Sequence, residues 1–300
     1  MTPLQRYIAE EIATDHADGL LSRREALRRL ALLGVSATAA TALIAACAKD
    51  GTGSPAASSG TSAPAATPPG MDTALPTTPI TWAGPVGELQ GAWAAATDPR
   101  GGVLVIHENK GLGDWVRSVA GRLAGAGYSA LAIDLLSEEG GTATFSDPAQ
   151  ATAALGKAPP ERFIADLRSG LDELGRRVPA KKYAVTGFCF GGGLTWQLLA
   201  AGVPGIAAAV PFYGPAPDHP DFAGSRQAAV LAFYGELDAR VNATKAAAQQ
   251  ALERAGMVHE MVVEPGADHA FFNDTGARYH PGAAADAWRR LQDWLATHLG

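Results

Sequence analysis

Cysteine is almost missing from this chain: only Cys47 and Cys189 occur in 300 residues. That excludes a disulfide framework and a cysteine-rich metal site. The seven histidines show no ligand-like spacing either, so neither a metal nor an organic cofactor is expected. Basic charge is also scarce. Lys and Arg total 24 against 30 Asp and Glu, a net charge of −6, and many of the basic residues fall near the N-terminus. No concentrated basic face is left for phosphates, which argues against nucleic acid as a partner. Internal repeats are absent, and the one long uncharged apolar run, residues 30–46, is too mild and short for a comfortable bilayer span. What remains is globular in character. With 47% hydrophobic and 18% charged residues, the chain can bury one large core or two modest ones.

Residues 1–21 are polar and mixed in charge, with Leu4, Tyr7, Ile8 and Ile12 spaced for a short amphipathic helix. Ser22-Arg23-Arg24-Glu25-Ala26-Leu27-Arg28 then precedes the apolar run. Adjacent arginines ahead of a mild hydrophobic region resemble a twin-arginine export signal; an ordinary amphipathic helix or a weak membrane anchor is the plainer alternative. The run closes with Leu43-Ile44-Ala45-Ala46-Cys47, similar to the lipobox of bacterial lipoproteins, in which cleavage before the cysteine leaves it carrying lipid. Simple cleavage near the small residues, with Cys47 inert, competes with that reading. The expected partners are the export machinery, through Arg23 and Arg24, and a membrane only through lipid on Cys47. The expected location is outside the cytoplasmic membrane, in the periplasm or at the cell surface. Residues 48–79 are rich in Gly, Ser, Thr, Ala and Pro and cannot bury enough apolar surface to offset their ordering entropy, which predicts a disordered tether. The organisation expected is a signal segment over 1–47, a linker over 48–79 and one domain over 80–300.

Within that domain, buried strands alternate with helices. Strands are expected at 89–95 (an edge strand), 102–106, 128–133, 183–186, 206–212, 229–233 and 260–263; helices at 115–126, 159–174, 191–199, 242–255 and 282–299. Residues 135–157 read as irregular. This alternation implies an α/β fold: a mostly parallel, doubly wound sheet flanked by helices, with ligands beyond the carboxyl ends of the strands.

Gly187-Phe188-Cys189-Phe190-Gly191 joins one of these strands to a helix. It has the form G-x-S-x-G of the α/β-hydrolase nucleophile elbow, with a thiol in place of the hydroxyl. A cysteine at a helix start gains from N–H groups that favour the thiolate, although a small buried cysteine on a glycine-rich turn is the bland alternative. A nucleophile needs a base, and the base an orienting acid. Asp238, in the loop after strand 229–233, and His269, in the loop after strand 260–263, follow Cys189 in the chain order that fold requires. Asp238 lies further into its loop than Glu236.

Residues 80–300 resemble the dienelactone hydrolase family, carboxymethylenebutenolidase-like enzymes. The resemblance is carried by Gly187-Phe188-Cys189-Phe190-Gly191-Gly192, Gly235-Glu236-Leu237-Asp238, Asp268-His269-Ala270-Phe271 and Val105-Ile106-His107-Glu108-Asn109-Lys110-Gly111-Leu112. It implies an α/β-hydrolase fold and hydrolysis of a small carboxylic ester or lactone by a Cys189, His269, Asp238 triad. It further implies Glu108 as proton acceptor beside the thiol, and backbone N–H groups of Phe190 and Asn109 as oxyanion donors. His107 reads as structural. The family holds an anionic lactone with two arginines; at the matching offsets stand Glu138 and Asn273, neither able to clamp a carboxylate. A neutral ester or lactone is therefore expected, in a pocket with Glu138, Asn273, Phe271 and Trp115 among its candidate residues. The alternatives are a non-catalytic binding lipoprotein that keeps the fold, and a redox-sensing thiol protein, against which the lack of a resolving cysteine in the domain counts.

Overall fold

The structure, a computed structural model, describes residues 1–50 and 67–300; most of the expected linker, 51–66, lies outside the described residues. Eight strands form one sheet: β1 (Thr78–Ala83), β2 (Glu88–Ala94), β3 (Gly101–Ile106), β4 (Tyr128–Asp134), β5 (Tyr183–Phe188), β6 (Ile206–Phe212), β7 (Ala229–Gly235) and β8 (His259–Glu264). Their order is β1-β2-β4-β3-β5-β6-β7-β8. The β1/β2 and β2/β4 pairs are antiparallel, and every pair from β4 through β3 to β8 is parallel. This is the α/β-hydrolase fold.

The pattern of side chains explains the layering. β3 and β4 are buried at every position, as continuous apolar strands must be when helices cover both faces. The covering helices are α4 (Asp114–Gly125), α5 (Pro148–Lys157), α6 (Pro160–Arg177), α7 (Phe190–Ala200), α8 (Ala239–Ala255) and α9 (Pro281–Leu299). Two details depart from the sequence reading. The strand at 88–94 is not at the edge, because β1 pairs outside it, partly within residues expected to be linker. Residues 67–77 also lie along the domain, with Leu75 N–H donating to Gly121 O at 2.9 Å. And α5 occupies part of the stretch read as irregular, started by Asp147, whose side chain accepts from Ala149 N–H. Its alanine-rich face was too weakly periodic to announce a helix.

The N-terminal residues form three helices, α1 (Pro3–Ala17), α2 (Arg23–Leu32) and α3 (Ala37–Asp50). α1 starts at a capping box, Thr2 with Gln5, and buries Leu4, Tyr7, Ile8, Ile12 and Ala13 in the same core as the sheet. α2 begins at Ser22, with Arg23 and Arg24 exposed. Arg28 donates from Nη1 to Asp147 Oδ2 at 2.7 Å, tying α2 to the start of α5. On α5, a Cβ at Gly156 would stand 2.5 Å from a Leu33 methyl and 3.4 Å from one of Ile8, so only glycine admits so close a seat for this segment. The apolar run 30–46 is broken at Gly34 (φ +83°) into the end of α2 and most of α3. Among the described residues, no helix is long and apolar enough to cross a membrane.

Candidate active site

β5 ends in a sharp turn at Cys189, whose φ of 56° and ψ of −115° no unconstrained L-residue favours. Such a conformation costs about 1–3 kcal/mol and persists only where its surroundings enforce it. The enforcement is visible in the flanking glycines. A Cβ at Gly187 would meet Gly191 O at 2.1 Å, and one at Gly191 would meet Ile106 O at 2.4 Å. The Cys189 N–H donates to Phe212 O at 3.1 Å, fixing the turn between β3 and β6. No side chain caps α7, so its first-turn N–H groups, Phe190 among them, are not claimed by a capping oxygen.

Asp238 and His269 converge on the same sheet edge. Asp238 is the N-cap of α8, accepting from Val241 N–H through Oδ1 at 3.1 Å. Its other oxygen, Oδ2, accepts from His269 Nδ1 at 2.6 Å. That bond fixes the tautomer and leaves His269 Nε2 buried without a hydrogen-bond partner. The Cys189 sulfur and a His269 ring nitrogen lie within 4.8 Å of each other, a gap that a small rotation closes. Burial opposes ionisation of Asp238, but His269, Arg240 and the Val241 N–H outweigh it and hold the carboxyl below its ordinary range. Burial likewise pulls the imidazole down, and Asp238 more than restores it, so His269 is raised. The Cys189 thiol is pushed well above its ordinary value, first by burial and then by the nearby carboxyl groups of Glu11 and Glu108. In this state the sulfur keeps its proton.

The carboxyl group touching that sulfur is not Glu108. Glu108 Oε2 accepts from Asn273 Nδ2 at 2.8 Å, and its Oε1 is buried without a partner; burial raises its pKa. Cys189 donates instead to Glu11 of α1, at 3.3 and 3.4 Å, and lies 3.3 Å from the Tyr7 hydroxyl. Both residues come from the segment read as an export signal, which is why sequence reasoning passed over them. A signal did exist. Tyr7, Glu11 and Asp15 recur at a spacing of four, on or beside the apolar side of α1, where acidic residues are out of place unless something meets them. Glu11, Cys189 and His269 are also, among the described residues, the group of thiol, imidazole and carboxyl donors close enough to converge on a metal ion.

The remaining candidates divide. Asn109 is buried in the loop after β3. His107 is structural, as expected: its Nε2 accepts from Leu135 N–H at 3.1 Å and its Nδ1 faces Glu108 O at 2.6 Å. Glu138 is exposed and lies 3.6 Å from Arg162; no hydrogen bond or ion pair joins it to Cys189, Asp238 or His269. Trp115 and Phe271, expected at a pocket, are buried in a cluster of rings, Trp115 at 5.0 Å from Phe188 and Phe271 at 5.4 Å from Tyr213. Their bulk and lack of polar partners made core packing the better use for them. A cavity of about 680 Å³ lies elsewhere, between α1 and the domain, walled by Leu4, Tyr7, Phe190, Gly193, Pro215 and Arg240. Cys47 sits on α3, partly buried.

A family model, the dienelactone hydrolase family, matches residues 89–299. The chain belongs to the dienelactone hydrolase family. It is 36% identical over 217 residues to a Salmonella typhimurium protein named "Putative carboxymethylenebutenolidase", covering 66% of this chain and 77% of that one. A crystal structure of a "Putative Dienelactone Hydrolase" from Klebsiella pneumoniae superposes with a TM-score of 0.64 at 33% identity, over 73% of this chain and 98% of that one. A dienelactone hydrolase-like promiscuous phosphotriesterase, P91, from metagenomic libraries gives 0.65 at 26% identity, over 76% of this chain and all (100%) of that one. As a dienelactone hydrolase relative the protein is a hydrolase by descent, and the matched residues 89–299 contain Cys189, Asp238, His269 and Glu108 but neither Tyr7 nor Glu11.

Proposed function

We propose that the protein hydrolyses a neutral carboxylic ester or lactone through a thioester on Cys189. The observation that supports this most is the placement of a strained elbow cysteine within 4.8 Å of an imidazole that Asp238 holds. In the reaction, once Glu11 has left the sulfur, the Cys189 thiol passes its proton to Glu108, whose carboxyl is close enough to act on the thiol's ionisation, and the thiolate adds to the carbonyl carbon. The resulting oxyanion is held by the N–H groups of Phe190 and Asn109. Collapse breaks the carbon–oxygen bond, and the alkoxide leaves with the proton from Glu108. His269, neutral and oriented by Asp238, then takes a proton from water as the oxygen attacks the thioester; the C–S bond breaks and the thiolate recovers that proton. Neutrality of the substrate is supported by the sequence, which has Glu138 and Asn273 at the offsets of the family's two arginines, and by Asn273 being committed to Glu108. Hydrolysis of p-nitrophenyl acetate and of a panel of lactones by wild type and Cys189→Ala tests the reading. Turnover in the wild type that persists unchanged without the sulfur would remove Cys189 from the chemistry.

We also propose that residues 1–47 are a twin-arginine leader and that Cys47 receives lipid on export to the periplasm or cell surface. The exposed Arg23-Arg24 pair and the Leu43–Cys47 sequence support this. The Ala46–Cys47 bond lies inside α3, so cleavage there requires that helix to open locally. Metabolic labelling with a fatty acid, lost in Cys47→Ser, is the expected result; equal labelling of both proteins contradicts lipidation at this position.

A further inference from the structure

α1 does more than cover the sheet edge. Its Glu11 carboxyl lies 3.3 and 3.4 Å from the Cys189 sulfur and 4.0 Å from His269 Nε2, between the nucleophile and the base. One helical turn away, the Tyr7 ring lies under the Arg240 guanidinium at 4.5 Å, and its hydroxyl reaches the same sulfur at 3.3 Å. At the other end of the helix, Arg278 donates to Asp15 Oδ1 at 2.8 Å and to Asp18 Oδ2 at 2.5 Å. With α1 in place Cys189 is 2% exposed, so an ester reaches it only while α1 is lifted.

We infer that α1 is a self-capping plug, seated in the catalytic centre as the acid product of the reaction would be: the Glu11 carboxyl takes the place of the acyl group, and the Tyr7 ring that of a ring on the substrate. The inference rests on the ester-hydrolase reading above. It also names a substrate class. Arg240 has Nε and Nη1 buried without hydrogen-bond partners, so what it offers the site is the cationic face that Tyr7 now covers. An uncharged aromatic ester fits that face by cation–π attraction once α1 withdraws. The 680 Å³ cavity beside Tyr7 and Arg240 gives a ring larger than a phenol room to lie. Removal of residues 1–47 would open the centre permanently, which ties activity to processing of the N-terminal segment.

The test uses the full chain. In wild type, Glu11→Ala and Arg278→Ala, the rate of Cys189 carbamidomethylation by iodoacetamide is read on its own peptide by mass spectrometry, so that Cys47 does not contribute. Both variants are expected to react about tenfold faster or more, the factor given by ~1.4 kcal/mol of lost docking, and a synthetic peptide of residues 3–17, which carries Glu11, added to Glu11→Ala should slow the reaction again. Phenylacetate should protect the sulfur of Glu11→Ala better than acetate does, and Arg240→Met should erase that difference. Unchanged alkylation in both variants overturns the plug. Slower alkylation together with lost turnover in Glu11→Ala also overturns it, by making Glu11 a working base. Equal protection by the two acids overturns the aromatic assignment. Faster alkylation with no ester turned over by any variant supports the plug and counts against the ester-hydrolase reading alone.

Discussion

The sheet domain and the three N-terminal helices are held by different means. β3, β4, β5 and β7 are buried almost throughout, and their apolar side chains would pack against α4, α6, α7 and α9 whatever lay over the strand ends. α1 buries an apolar stripe too, but its position is also set by polar partners: Glu11 on Cys189, Asp15 and Asp18 on Arg278, Tyr7 under Arg240. Apolar burial is roughly proportional to area and indifferent to direction, whereas buried polar groups are costly unless each meets its partner. Apolar packing thus holds the sheet and its helices, and polar contacts help fit the helical segment as a cover over Cys189 and His269.

The sharpest break in that comparison is chemical. Cys189→Ala should lower ester turnover on the order of 10³-fold or more, as loss of a covalent nucleophile does, with little change in thermal unfolding. His269→Gln should lower it by about 10²–10⁴-fold, the range for a lost general base; a loss below tenfold on the same p-nitrophenyl substrates would place the base elsewhere. Within the domain, Arg122 is fully buried and pairs with Asp274 at 2.5 Å beside the His269 loop. Arg122→Leu leaves a buried carboxylate unpaired and should cost about 3–5 kcal/mol in urea unfolding.

Packing separates the two regions next. Leu104→Ala, in the middle of β3, should cost about 2–5 kcal/mol of domain stability. Ile8→Ala, though equally buried, should leave the main unfolding transition nearly in place and speed hydrogen exchange in α1. A single shared transition shifted equally by both would show the cover and the domain to be one cooperative unit. The smallest expected effect is in pH dependence. Glu264 is raised by burial to about 7, so between its ordinary 4.5 and that value the folded chain holds the extra proton and stability falls as pH rises. Glu264→Gln should flatten that slope. The Asp238–His269 pair has its own window. His269, raised, contributes fully below its ordinary 6.5, and its share is lost as pH rises through the raised value. Asp238, lowered, contributes above its ordinary 3.8, and its share is lost as pH falls through the lowered value. Asp238→Asn should accordingly cost most stability between those two ordinary values.

Much of this was legible in the chain itself. Continuous apolar strands of the GVLVI kind, the glycines around Cys189, and an acid and a histidine each placed after a strand are local patterns, and local patterns follow from backbone sterics and the periodicity of burial. They were enough for the fold, for the elbow and for the order of Cys189, Asp238 and His269. The same local reading made residues 1–47 a separate leader and gave Glu108 the place beside the sulfur. Which carboxyl reaches Cys189, whether Trp115 and Phe271 line a pocket or fill the core, and what faces Arg240 were decided only by the tertiary structure. Those are contacts between residues far apart in the chain, 178 positions for Glu11 and Cys189 and 182 for Tyr7 and Cys189, and no spacing rule within one stretch of chain can express them.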